Sequence, residues 1–238
     1  MNNHTQERSE MLVKGLLATE MSGSLAGITA SHGRGGQYFR ARARPVNPSS
    51  SFQQTVRAIF GNLASAWVAT LTGALRSAWD SYGDSVEVTD RMGESRKLTG
   101  LNWYIAMNTP RMQAGGARLD AAPIIYSMAA CTPPTIVSAT ASTEVLSVGF
   151  TNTDQWCGEV GGKLLVYTAP PTSQSVTPSP KSWRYQGNVP GAVSPPTSPL
   201  PFTSQFPFGV GQRVWVATRA ILADGRISPI FHVAALGT

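Results

Sequence analysis

The sequence predicts an α+β protein: an N-terminal β-hairpin and a helical hairpin, followed by an immunoglobulin-like β-sandwich. Three observations predict it. Tyr38, Arg40, Arg42 and Arg44 alternate with Phe39, Ala41 and Ala43, the period of two that belongs to a strand. From Phe52 onward Val56, Ile59, Phe60, Leu63 and Trp67 recur at threes and fours, the period of an amphipathic helix. Beyond Cys131-Thr132-Pro133-Pro134 the chain becomes a series of short runs rich in Val, Ile, Thr and aromatics, separated by turn residues.

Residues 1–22 read as an N-terminal arm. The start, MNNHTQERSE, is polar and lacks the apolar core of an export signal. The following MLVKGLLATE has an apolar face long enough for two helical turns, weakened by Gly15, so docking on a partner is expected to order it. Residues 23–130 read as a basic hairpin and helical domain. Its simplest hairpin joins residues 25–30 to residues 37–43 around His32-Gly33-Arg34-Gly35-Gly36.

Pro45 and Pro48 end that extended stretch, and Ser49, Ser50 and Ser51 offer N-caps for the helix that begins near Phe52. Leu71-Thr72-Gly73 interrupts the helical pattern. Thr72 can then cap a second helix bearing Leu75, Ala78, Trp79 and Tyr82. So short a connection implies an αα-hairpin or a sharp angle, with Trp67 and Trp79 packed on each other or on the strand hairpin. Residues 83–98 are polar and turn-rich, a loop or small excursion. Thr99 opens a helix over residues 100–108, with Pro110 just past it and a resumption through 111–114 left open. Residues 115–130 read as extended.

Residues 131–238 read as the sandwich, of the immunoglobulin or fibronectin type III kind. Its expected strands are 135–141, 145–152, 163–169, 182–186, 213–222 and 227–235. The last two flank Asp224-Gly225, a strong hairpin signal. The Pro/Ser/Thr-rich stretch 170–207 reads as a long surface loop that carries Trp183.

Composition turns the reading away from enzymes. Only 13% of residues are charged, against roughly 25% in an average soluble protein. The thirteen carboxylates are scattered, with no pair set in apolar context for general acid and base work. Of the three histidines, none has a second ligand at metal spacing. GEVGGKL has one residue too few for a phosphate loop and leads into a strand, and no G-x-S-x-G elbow occurs. Cys131 and Cys157 read as reduced, packed thiols. No catalytic, cofactor-binding or metal-ligating residues are therefore assigned, and no apolar run approaches the roughly 18 residues of a membrane span.

The placement of charge is more informative than the net +6. From Met21 to Trp79 there is no acid, while Arg34, Arg40, Arg42, Arg44, Arg57 and Arg76 all fall there. Arginine's planar, weakly hydrated fork pairs with carboxylates or phosphates and tolerates burial at interfaces better than lysine. Arg34, Tyr38, Arg40, Arg42 and Arg44 are thus interface candidates, joined by Trp183. The competing reading of the arginine row is a solvated edge that discourages unwanted strand pairing. Trp156, Trp183 and Trp215 suggest a carbohydrate platform, although core or interface anchoring is the commoner role of such rings.

The motifs of the N-terminal half recur in a fixed order: Gly35-Gly36, Tyr38, Arg40, Pro45-Val46-Asn47-Pro48, Arg57, Phe60, Trp67, Leu71-Thr72, Arg76, Trp79 and Gly100-Leu101-Asn102-Trp103. Over residues 23–113 this resembles a loosely defined group of phage and prophage virion structural proteins. The resemblance implies no catalytic residues. It implies a capsid-associated cement or decoration protein, present in many copies, that binds the major capsid protein or other virion proteins. Nucleic acid ranks behind protein as partner, and a membrane is not expected. The same parts would serve a tail, neck or baseplate component, and a third reading is a host-surface module that binds glycans.

Overall fold

The computed structural model describes residues 11–14, 20–33, 36–43, 49–89 and 95–238. The chain divides into two compact units, Met1–Ser50 and Ser51–Thr238. It is an α+β protein with several antiparallel sheets.

The first unit is a four-stranded antiparallel meander of β1 (Met11–Lys14), β2 (Glu20–Leu25), β3 (Ile28–Gly33) and β4 (Gly36–Ala41). Two expectations change here. Residues 11–20, read as two helical turns, supply β1 and the start of β2, with Met11 opposite Gly23 and Lys14 opposite Glu20. Two turns interrupted by Gly15 cannot repay helix nucleation alone, whereas a strand gains a ladder from its neighbour. Residues 25–30 are likewise not one strand, because Ala26 (φ 51°) and Gly27 turn the chain between β2 and β3. The expected arm boundary after residue 22 therefore falls inside β2.

The second unit begins with α1 (Ser51–Ala69) and α2 (Gly73–Ser85), between which the chain bends by 118°. Of the expected loop or small excursion, the structure has the second: an antiparallel pair of β5 (Glu87–Thr89) and β6 (Ser95–Lys97), followed by α3 (Gly100–Gln113). Thr72 caps α2 by accepting from the Leu75 amide at 3.4 Å, and Thr99 caps α3 by accepting from the Asn102 amide at 3.3 Å. Helix α3 runs unbroken through Pro110.

Trp67 and Trp79 meet through a third ring. Each lies 5.5 Å from Tyr104, whose helix, α3, packs against both α1 and α2. Tyr82 continues the cluster edge-on to Trp103 at 5.3 Å. The close approach of α2 and α3 demands glycine: a Cβ at Gly100 would stand 2.6 Å from the Trp79 carbonyl carbon. Asn108, buried at 1%, donates to the carbonyls of Tyr104 and Leu119, both at 3.0 Å, and accepts from the Leu119 amide at 2.7 Å. The segment after α3 is thereby stitched to the helix, and Trp79 Nε1 adds a bond to the Asp120 carbonyl at 2.9 Å.

The remaining elements are β7 (Thr135–Thr140), β8 (Val145–Gly149), a short α4 (Gln155–Gly158), β9 (Lys163–Thr172), β10 (Arg184–Pro190), β11 (Leu200–Thr203), β12 (Arg213–Ile221) and β13 (Phe231–Leu236). They form two antiparallel sheets, ordered β11-β8-β7 and β10-β9-β12-β13. Ala139, Leu146 and Val148 of the smaller sheet share a core with Val166, Val214 and Val216 of the larger one. The opposite face of the larger sheet gives Leu165 and Ile221 to the core that holds Trp79, Tyr82, Trp103 and Tyr104.

That second contact corrects the expected boundary at residues 130/131. Helices and sheets are two sides of one unit, because β9 and β12 are buried on both faces. The expected loop over residues 170–207 is interrupted by strand, of which the segment 182–186 anticipated a part. It contains the tail of β9, all of β10 and all of β11. Neither β10 nor β11 shows a clean apolar alternation; β10 pairs with β9 and β11 with β8, and across the two sheets Gln186 donates to the Thr203 carbonyl and Gln205 donates to the Tyr185 carbonyl at 2.8 Å.

Because helices and sheets share this core, Trp79→Ala is expected to destabilise the whole second unit by about 3–5 kcal/mol. Urea unfolding followed by far-UV dichroism and by tryptophan fluorescence should shift together. Two separate transitions would show that the helical and sheet parts are independent.

Candidate interface

Strands β3 and β4 place the expected interface residues. Their ladder closes at Gly33 opposite Gly36 and continues through Ser31–Tyr38, Ala30–Phe39, Thr29–Arg40 and Ile28–Ala41. Residues directly opposite each other in an antiparallel pair share a face. Tyr38 and Arg40 therefore lie with Ser31 and Thr29, and Ser24 of β2 joins them through a 2.8 Å hydroxyl contact with Thr29. This face is polar. The other carries Ile28, Ala30, Phe39 and Ala41, of which Ile28 is 51% and Phe39 58% exposed.

Arg42 follows β4 and continues its alternation, its amide donating to the Gly27 carbonyl at 2.8 Å. Arg40 and Arg42 are both exposed, and among the described residues no carboxylate pairs with either. Arg34 and Arg44 lie outside the described residues. Sequence reasoning thus located the row but missed its setting. The exposed Ile28–Phe39 face depends on strand register across the turn, which composition does not reveal.

Trp183 belongs to the second unit and is half-buried, edge-on to His232 with ring centroids 4.9 Å apart. Trp156 is fully buried beside Phe150, and Trp215 is 5% exposed with its Nε1 donating to Thr172 at 2.9 Å. Three rings so placed form no platform, and two of them are core side chains.

Two thiols and two cations elsewhere in the second unit are constrained by burial. Cys131 and Cys157 are free thiols. Burial, reinforced by the Asp154 carboxylate, pushes them up to about 12 and about 11 respectively. A nucleophilic cysteine needs the opposite, a thiolate favoured by nearby positive charge. Arg111 and Lys163 have their basicity lowered by burial, and both serve the end of α3. Arg111 donates to the carbonyls of Ala117 at 2.8 Å and Ala223 at 3.4 Å, and Lys163 donates to that of Ala114. These bonds tie the helix end to the sheets, where cations also complement the helix dipole. The GEVGGKL glycines make a tight turn into β9: Gly161 sits at φ +97°, and Gly162 donates its amide to Glu159 at 3.0 Å. Among the described residues no group of three or more His, Cys, Asp or Glu is placed to hold a metal ion.

Comparison of the chain with family models, with curated proteins and with solved structures finds no match.

The raised thiol values predict slow alkylation. At pH 8 both cysteines should react with iodoacetamide about 100-fold more slowly than a free thiol, and denaturant should abolish the difference. The pH dependence follows from the same shifts. The folded state holds these protons more tightly than the unfolded state, so their contribution to stability is complete below the ordinary thiol value of 9.0. It is lost as pH rises through about 11 and 12, and Tyr82 and Tyr167, both raised to about 12 by burial, extend the loss. Thermal unfolding between pH 8 and pH 12 measures it, and a melting temperature that rises over that range would contradict it.

Proposed function

We propose that this chain is a structural component of a phage particle, a capsid-associated protein that docks on neighbouring subunits through its N-terminal unit. The observation that carries the reading is the exposure of apolar and cationic side chains along that unit's last strands: Ile28 is 51% and Phe39 58% exposed, and Arg40 and Arg42 are exposed beside them. Leaving such apolar area in water forgoes about 25 cal/mol per Å² that a partner covering it would recover. A partner that pairs along β4 would cover Phe39 on one face and meet Arg40 and Arg42 on the other. The resemblance of residues 23–113 to virion structural proteins points the same way.

The two sheets of the second unit are, in this reading, an immunoglobulin-like module. Their strand order supports the fibronectin type III form. The fourth strand, β10, lies beside β9 in the larger sheet, whereas immunoglobulin constant-type domains keep their fourth strand with the first sheet. Such a module would project from the particle or spread contacts across it. The burial of Trp156 and Trp215 disfavours a glycan-binding use.

Particles assembled with a Phe39→Ser, Arg40→Glu variant should lack the protein, although the purified variant keeps the near-UV dichroism of the second unit. Normal incorporation would overturn the docking role. Quantitative gel analysis of particles should find copies on the order of hundreds, as a repeating capsid lattice requires. A handful per particle would instead assign the chain to tail, neck or baseplate.

A further inference from the structure

The free edge of β4 offers something more specific than charge. Hydrogen-bonded and non-bonded pairs alternate along an antiparallel ladder. The Arg42 amide donates to the Gly27 carbonyl at 2.8 Å, one step beyond Ile28–Ala41 in an unshifted register, and this fixes the alternation along β4. The backbones of Tyr38, Arg40 and Arg42 therefore turn inward to β3. Those of Phe39 and Ala41 turn their N–H and C=O groups outward, on the side of β4 where the sheet has no further strand.

Every residue from Tyr38 to Ala43 is exposed. Natural sheets protect such edges with proline, bulges, very short strands or charged side chains. Here β4 has six residues, contains no proline, and pairs with β3 without a register shift. Its only charges, Arg40 and the adjacent Arg42, lie to one side, opposite the face that carries Phe39 and Ala41.

We propose that β4 is a strand-addition site for an extended acidic segment of another protein, one that alternates Asp or Glu with apolar residues. This rests on the docking role given above to the first unit and names its partner's chemistry. An incoming strand that bonds to Phe39 and Ala41 sets its own alternate residues beside Arg40 and Arg42 on one face and beside Phe39 and Ala41 on the other. Acids fit the first row and apolar side chains the second. A second copy of β4 does not fit. Antiparallel pairing centred on Arg40 or on Ala41 sets arginine directly against arginine, and pairing centred on Phe39 brings the two Arg40 side chains into diagonal repulsion. No strand of this chain among the described residues carries alternating acids. Nucleic acid would satisfy the arginines but leave the outward amides and the Phe39 face unused.

The test uses the purified full chain and three fluorescein-labelled probes: a short peptide of alternating Glu and Val, the same peptide with Lys for Glu, and oligothymidylate. The acidic peptide should bind at least about tenfold more tightly than the basic one. Arg40→Glu with Arg42→Glu should reverse that order. Ala41→Pro removes an outward N–H while keeping both arginines, and should abolish binding. Hydrogen exchange on the unmodified chain keeps the test independent of how that variant folds: the Phe39 and Ala41 amides should become protected when the acidic peptide is added. Binding without that protection, oligothymidylate binding as tight as the acidic peptide, or no binding at all would each overturn strand addition. None of these outcomes depends on incorporation into particles, so the broader docking role can stand or fall separately.

Discussion

Strands β9 and β12 are buried on both faces, and the rest of the second unit is arranged to cover them. One face needs the smaller sheet, which brings Leu146 and Val148 against Val166 and Val216. The other needs the helices, which bring Trp79 and Tyr104 against Leu165 and Ile221. A strand pair of this kind cannot be exposed on either side without opening a large apolar surface to water. The aromatic cluster around Tyr104 is therefore more than a helical core. It is the lid of the sheet, and Gly100 and Asn108 matter because they let that lid close and keep its trailing segment in place.

The first unit is built on the opposite principle. Its backbone is well paired, yet its described side chains enclose almost nothing. Hydrogen bonds between strands are worth little net when water offers the same bonds, and side-chain burial has to supply the balance. A unit rich in internal contacts thus contrasts with one that leaves Ile28, Tyr38 and Phe39 exposed.

Much of this was legible in the sequence wherever local chemistry decides. Thr72 and Thr99 announced their helices because a hydroxyl at the N-cap satisfies a backbone amide regardless of fold. Asp224-Gly225 lies in the turn it suggested: Gly225, at φ +95°, bonds its amide to Leu222, and Leu222 bonds to Arg226. The alternation of Tyr38, Arg40 and Phe39 located β4. The failures share one cause, which is that distant partners decided. Residues 11–14 have helical spacing but pair with β2, β10 extends past the strand expected at 182–186, and β11 lacks apolar alternation yet pairs with β8. Pro133-Pro134 looks like a linker, but Leu165 and Ile221 bind the segments on either side of it into one core. At the interface, the sequence showed which residues alternate. It could not show that β4 is an edge, since that depends on β1 and β2 stacking on the far side of β3.

The arginines beside that edge have a consequence for handling the protein. At physiological ionic strength the screening length is ~8 Å, and in molar salt ~3 Å, so added salt weakens repulsion between neighbouring guanidinium groups much more than it weakens a backbone ladder. That repulsion opposes the pairing of two copies of β4, which has no proline and no bulge to do so. Concentrated salt, by screening it, is therefore expected to favour edge-to-edge association of the strand.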